Sequence, residues 1–457
     1  MKNKRPSYKT VVLFTAILFG VLVISLFALK QFILMAILIA MIGLPVNIYY
    51  SVKRPEVILF LCLILFFTHL GHKLANIVFA VYCITTLCSI IFAKQRHIKF
   101  DLILVLWSII TILSLLTIYR WSAWGRAGLG MLHFIAMPVI IYISIVKKII
   151  SDAGVERLHK VYVPFVIGYS LIQVLFFLIF QANVSAININ TFHSSGFGLS
   201  WGVANTLAAI MVLFGTILIS QLMVLKDVFL TRTLKIIMII LALVLVVIIL
   251  SRGAILSFLI AGMFFYIFKG VAAKDYNVKK SFGILLGAIL VINIFAYKYL
   301  YALMERIKNV KVDASSFSRL YMIRDCIITM KDNLIIGAGP NQYRYSEFYR
   351  YLEDPHNIFL RFGVDFGTIS AFLIAFIIFY PLYRLIVLCY KNVTGANYIY
   401  TLFFLPYLVA VINSQVEAAI TRYQYGMLFW IIYALMYRHI EEVSSLKVKT
   451  LETMGSS

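Results

Sequence analysis

The stretch LKIIMIILALVLVVIILSRG, Leu234 to Gly253, is unbroken in its apolar character from Ile236 to Leu250 and then stops abruptly at Ser-Arg-Gly. A run of that kind fixes the fold class. In hydrocarbon every backbone N–H and C=O must be satisfied internally, so only helices and closed barrels cross it. A barrel strand alternates apolar and polar residues, and this run does not. It is a membrane-crossing helix with a charged turn at its end.

Working outward, similar runs recur along the whole chain. Each crossing needs roughly 17 to 25 mostly apolar residues, which gives about fourteen candidate spans. They start near Val11, Phe32, Val57, Leu74, Leu102, Leu129, Val161, Val203, Leu234, Ala254, Ser281, Asn357, Asn397 and Tyr425. Over 457 residues the composition is 63% hydrophobic and 13% charged, with mean hydropathy +0.97, which excludes a soluble globular protein. The expectation is an all-α polytopic transmembrane helical bundle of about 12–14 spans. Residues 1–300 form an N-terminal membrane bundle of about 11 spans. Residues 301–354 form one long outward loop with amphipathic interfacial helices, 355–440 the C-terminal spans, and 441–457 a cytoplasmic tail.

The net charge of +23 is not gathered into a nucleic-acid-binding stripe; it alternates with the spans. The basic clusters at the N-terminus, at 53–54, 94–99, 147–148, 226–235, 269–280 and from Arg438 onward fall on one side. Positive loops mark the cytoplasmic face, so both termini are expected there. Of the five cysteines, Cys62, Cys83, Cys88 and Cys389 lie in apolar spans and Cys326 in the long loop, a pattern of small hydrophobes and not of a disulfide framework.

On the opposite face the chemistry-bearing residues gather at helix mouths. In YLEDPHNIFLRFGVDFG, Tyr351 to Gly367, Asp354 reads as an N-cap and Pro355 as the first helical residue, which puts His356 in the first turn of a span. A neutral imidazole beside an anion-favouring helix end is a competent general base. Its alternative is an interfacial histidine that merely caps a helix. The other histidines have less support: His69 and His72 lack a third metal ligand, His97, His159 and His439 read as solvated on the cytoplasmic side, and His133 and His193 as outer-face residues.

Arg252 strengthens the case for His356. A cation at a helix N-terminus opposes the helix dipole unless an anion lies between them, and a diphosphate would take both the guanidinium fork and the free N–H groups. Arg319 opens an amphipathic segment, SRLYMIRDCIITM, whose Leu320, Ile323, Ile327 and Met330 share a helical face. Arg120, Arg126 and Arg422 lie in other outward turns, where phospholipid headgroups are the competing explanation. Downstream, NQYRYSEFYRYL, which includes Tyr343, reads as an aromatic belt or as a platform for sugar rings.

Three ordered motifs now converge: SRGAILSFLIAG, then FSRLYMIRDCIITMKDNLIIGAGPNQY, then PHNIFLRFGVDFGTISAFL with paired Gly363 and Gly367. Together they resemble the O-antigen ligase and polymerase superfamily of bacterial envelope glycosyltransferases, over roughly residues 190–380. A fainter similarity is HSSGFGLSWGVANTLAA, where Ala204 stands in place of the family's frequent proline, so Asn205 carries little weight; Tyr321 stands where a tryptophan is usual.

The resemblance implies a membrane enzyme of lipopolysaccharide biosynthesis in the bacterial inner membrane, with its site on the periplasmic face. Its donor would be an undecaprenyl-diphosphate-linked oligosaccharide and its acceptor a glycan, with inversion and with no metal or other cofactor. His356 would be the base, Arg252 and Arg319 would hold the diphosphate, and Arg126, Arg120, Arg422, Asn357 and Tyr343 would be further substrate contacts. A chain-length regulator is an implied partner. The tyrosine-rich loop, with room for two glycans, tips the expectation toward an O-antigen polymerase over a ligase that uses lipid A core. A flippase of lipid-linked oligosaccharide is the reading from another class. It would show inverted halves and ionisable residues at mid-membrane, whereas no internal repeat is visible here.

Overall fold

The computed structural model describes residues 45–68, 72–92, 100–180, 204–225, 230–249, 251–272, 314–343, 355–417 and 419–455. Among these residues there are helices and turns and no strand. The spans expected near Val11 and Ser281, and the start of the one near Phe32, lie outside the described residues; residues 45–53, at the end of the latter, are helical. In chain order the helices are α1 (Pro55–Phe67), α2 (His72–Phe92), α3 (Leu102–Leu115), α4 (Trp124–Val146) and α5 (Asp152–Phe176). Then come α6 (Ala204–Val224), α7 (Arg232–Ile249), α8 (Arg252–Ala272) and α9 (Ala314–Asp332). The last are α10 (Ile358–Phe366), α11 (Thr368–Tyr390), α12 (Ala396–Asn413) and α13 (Tyr423–Gly455). Within the described residues seven helices, α2, α4 to α7, α11 and α12, are long and apolar enough to cross a membrane, and α1, α3 and α8 are shorter apolar ones. The fold is a polytopic helical bundle.

α13 is its centre. From Gln424 to Tyr437 every side chain is buried, among α1, α4, α11 and α12. Tyr433 and Tyr437 stack with ring centroids 6.2 Å apart, and Trp430 meets Trp107 of α3 edge-on at 5.6 Å. At the far end Arg438, 3% exposed, donates to the carbonyls of Ile145 (2.8 Å) and Ile150 (3.0 Å) and pairs with Asp152 and Glu442. One guanidinium thus closes the end of α4 and the start of α5 onto α13. The helix continues past residue 440 to Gly455.

The described basic residues Lys147, Lys148 and Arg438 sit at this end of the bundle. Arg126 and Arg422 sit at the other, where α4 and α13 begin.

Three local expectations are corrected. The segment starting at Asn357 is not one long span but the nine-residue α10, followed by a break at Gly367 and then the span α11. Its cap is Asn357, whose side chain accepts from the N–H groups of Phe359 (2.9 Å) and Leu360 (3.1 Å). Pro355 is outside the helix, so His356 immediately precedes the cap and is not in the first turn; Asp354 lies outside the described residues. Asn357 wins because its side chain can reach two free N–H groups at once. Likewise His159 is buried, against Phe403 at 5.4 Å, and is not solvated; His439 is half-buried.

The break between α10 and α11 is made by backbone laid on backbone. Ala338 N donates to Val364 O and Gly339 N to Asp365 O, both at 2.8 Å, while Ile369 N at the start of α11 donates to Leu334 O at 3.2 Å. Residues 333–339 therefore cap two helix ends together. The approach is close enough to require glycine twice. A Cβ on Gly337 would lie 2.5 Å from the Asp365 carbonyl carbon, and one on Gly367, at φ +95°, would lie 2.3 Å from the Ile335 oxygen.

Gly337→Ala should lower the thermal midpoint of the detergent-purified protein, by about 1–3 kcal/mol of strain. Gly262→Ala, whose Cβ meets nothing within 4 Å in α8, should leave it unchanged. Equal midpoints for both variants would refute the backbone-contact account.

Candidate functional site

The turn between α12 and α13 is where separate parts of the chain meet. It is wound on itself, with Val416 N and Glu417 N both donating to Asn413 O, at 3.0 and 2.9 Å. Three helix starts converge on it. Ile358 N of α10 donates to Ser414 O at 3.0 Å, and Asn357 Nδ2 donates to Gln415 Oε1 at 2.9 Å. Gly253, in the first turn of α8, lies so close to Val416 that a Cβ there would be 3.1 Å from Val416 Cγ1. Asn205, at the start of α6, donates through Nδ2 to Glu417 Oε1 at 2.9 Å. Each helix start carries partial positive charge from its free N–H groups, so this junction favours anions.

His356 sits at the junction. Its Nδ1 is 3.6 Å from Glu417 Oε2, with the imidazole side chain 21% exposed and the carboxylate 4% exposed. The acid is beneath the ring and the ring reaches the surface. The sequence reading missed Glu417. The available signal was a lone acid, in VINSQVEAAITR, in the turn that follows the apolar run ending at Ile412, in a chain with only 18 Asp and Glu.

Arg252 is the first residue of α8, preceded by Ser251, whose buried Oγ accepts from Ala254 N at a long 3.5 Å. The backbone thus puts Arg252 next to Gly253 and the Glu417 turn. Arg319 is on α9, which is joined to α10 and α11 at its far end: Thr368 Oγ1 donates to Met330 O at 2.7 Å, and Met330 fills the space over Gly363. The side chains of Arg252 and Arg319 lie outside what the structure describes. Arg422 is exposed and shares the Glu417 turn, and Arg126 is exposed on the first turn of α4.

Arg120 and Tyr343 are placed differently. Arg120 Nη1 donates to Asn333 Oδ1 (2.8 Å), Ile336 O (3.2 Å) and Gly337 O (3.0 Å), so it ties the turn before α4 to the segment that caps α10 and α11. Gln342 makes a second tie, accepting from Ser122 N and Ala123 N and donating to Ala123 O. Tyr343 is 2% exposed and packs with Met322, Cys326 and Val364; burial pushes its phenol well up and the Cys326 thiol to about 12, so neither titrates near neutrality. A buried pair, Arg361 with Asp365 at 2.7 Å, completes the loop anchor through Asn341, which accepts from Arg361 Nη2 and donates its N–H to Asp365 Oδ2. These charges are the i,i+4 signal inside IFLRFGVDF that the sequence reading passed over.

Residues 237–375 match the family model described as O-antigen ligase. The match supports the resemblance of this segment to the O-antigen ligase and polymerase superfamily. No curated protein matches the chain. The matched segment covers well under half of the chain but includes Arg252, Arg319, His356 and the glycines at the α10–α11 break. The matched segment begins after Asn205 and ends before Glu417, so the junction is completed by side chains from both flanks. Among the described residues no group of three or more His, Cys, Asp or Glu side chains is placed to hold a metal ion.

Arg120→Ala should lower the thermal midpoint while leaving the apparent KM for a lipid-linked donor within about twofold, since its Nη1 bonds are all to protein oxygens. A raised KM at an unchanged midpoint would make it a substrate contact instead.

Proposed function

We propose that this chain transfers a glycan from a polyprenyl diphosphate, undecaprenyl in a bacterial inner membrane, to a sugar hydroxyl at the periplasmic face. The observation that carries the reading is the junction itself: a surface-reaching histidine, backed by a buried carboxylate, where three helix starts meet. The acceptor hydroxyl gives its proton to His356 as its oxygen attacks the anomeric carbon. The bond from that carbon to the diphosphate breaks, and its electron pair leaves with the polyprenyl diphosphate. Charge developing on the leaving group is met by the helix starts and by Arg252 and Arg319 as bidentate donors, with Arg126 and Arg422 at the rim. The charge asymmetry supports the orientation: basic residues cluster at the Arg438 end, as cytoplasmic loops do, and the junction is at the other.

The acceptor we favour is another lipid-linked repeat, which makes the chain an O-antigen polymerase that works with a chain-length regulator. The support is the tyrosine-dense stretch that follows the buried Tyr343 and leads to His356. The second reading, a ligase using lipid A core, is favoured by the description of the matched family. Single repeats on lipid A core in a deletion strain identify a polymerase, and long polymer held on the carrier lipid identifies a ligase.

His356→Ala should abolish long-chain polysaccharide on gels while membrane insertion is unchanged. Normal long chains from cells carrying only that variant would remove the base assignment. Arg252→Lys and Arg319→Lys should each retain more donor use than the alanine variants, because lysine keeps the charge and loses only the fork. Equal losses would remove bidentate diphosphate binding.

A further inference from the structure

We infer that Glu417, itself steadied by Asn205, is the positioning residue of His356. The inference rests on reading His356 as the base. Glu417 Oε2 faces Nδ1 of the imidazole at 3.6 Å and Oε1 accepts from Asn205 Nδ2 at 2.9 Å, so the two carboxylate oxygens have different neighbours. Nε2 lies on the edge of the ring away from Nδ1, the edge from which an acceptor hydroxyl can be deprotonated. A nearly buried carboxylate is costly without partners, and these two supply polar contact on both oxygens.

The register is fixed from both sides. Asn357, bonded through its backbone to His356, is held by Gln415 Oε1, and Ile358 N is held by Ser414 O, two and three residues before Glu417. The imidazole and the carboxylate are therefore set by the same short turn, and a shift of one moves the other.

The chemistry uses this. As the acceptor O–H bond breaks, the proton moves to Nε2 and the ring becomes imidazolium, with Nδ1–H directed at Glu417. The carboxylate stabilises that cation without taking its proton, and the proton passes to water once polyprenyl diphosphate has left. The sum is donor plus acceptor hydroxyl giving the lengthened glycan, polyprenyl diphosphate and one proton. The 3.6 Å separation shortens when the ring acquires charge.

Glu417→Gln tests this, because the amide keeps the shape and the oxygen that Asn205 reaches while losing the charge. The substrate is lipid-linked glycan extracted from a strain deleted for this gene, and rates are normalised to monodisperse protein on size exclusion. We expect kcat to fall about 100-fold with KM for the donor within about twofold. The acid limb of the rate–pH curve should also move to lower pH, since an opposite charge that favours imidazolium has been removed. Asn205→Ala, which removes the hydrogen bond to Oε1 but keeps the carboxylate's charge, should lower kcat about tenfold and leave the acid limb in place.

A dead His356→Ala beside a Glu417→Gln enzyme with wild-type kcat and an unmoved curve overturns the positioning role alone. So does a Glu417→Gln enzyme whose only defect is a smaller yield of folded protein. A His356→Ala enzyme at wild-type rate overturns the base reading, and this inference with it.

Discussion

Backbone contact at two places sets everything else in this molecule. At the turn after α12, the N–H of Ile358 and the carbonyl of Ser414 join a short helix to the bundle's central post. At the break after α10, residues 333–339 lie directly on the chain that follows, with no side chain between. A nine-residue helix is too short to be stable by itself in either water or lipid. Held at both ends by main-chain hydrogen bonds, α10 becomes a rigid strut, and His356 is the residue at its head. Because the contacts are main chain to main chain, they tolerate almost any side chain except where space is missing, at Gly337 and Gly367.

Much of the fold was legible because hydrocarbon leaves few options: the apolar runs at Leu74, Val203 and Leu234 became α2, α6 and α7 at the expected places. What misled was the assumption that apolar means spanning. The run from Ile358 onward is apolar apart from Arg361 and Asp365, which pair with each other, yet Gly367 at positive φ splits it, and nothing in a hydropathy window reports a dihedral angle. The converse case is α13, expected as a span from near Tyr425 although its composition is mixed. Rich in tyrosine and carrying Arg438, it is less apolar than the helices around it, because it faces protein and not lipid.

The candidate site was half readable. His356, Arg252 and Arg319 stand in recognisable motifs, and their order along the chain identified the segment. Glu417 stands in none, and the reason to notice it is spatial: a turn some sixty residues downstream folds under the imidazole. Asn205 was underrated because it was judged by the residue before it, when its side chain makes the relevant contact. Arg120 and Tyr343 illustrate the opposite case. An outward arginine and a tyrosine in a long loop look like ligand contacts, and both are engaged in holding that loop.

The burial of α13 bears on how the molecule is assembled. Synthesis proceeds from the N-terminus, so the helices that wrap this post reach the bilayer before it does. Until α13 arrives, α1, α4, α11 and α12 have no common partner, and the main-chain acceptors that Arg438 will occupy at Ile145 and Ile150 must be met some other way. A segment with that many hydroxyls and a guanidinium gains little from entering lipid alone. Its entry is better driven by the vacant slot than by hydrophobicity, which makes the early helices a mould for the one that completes them.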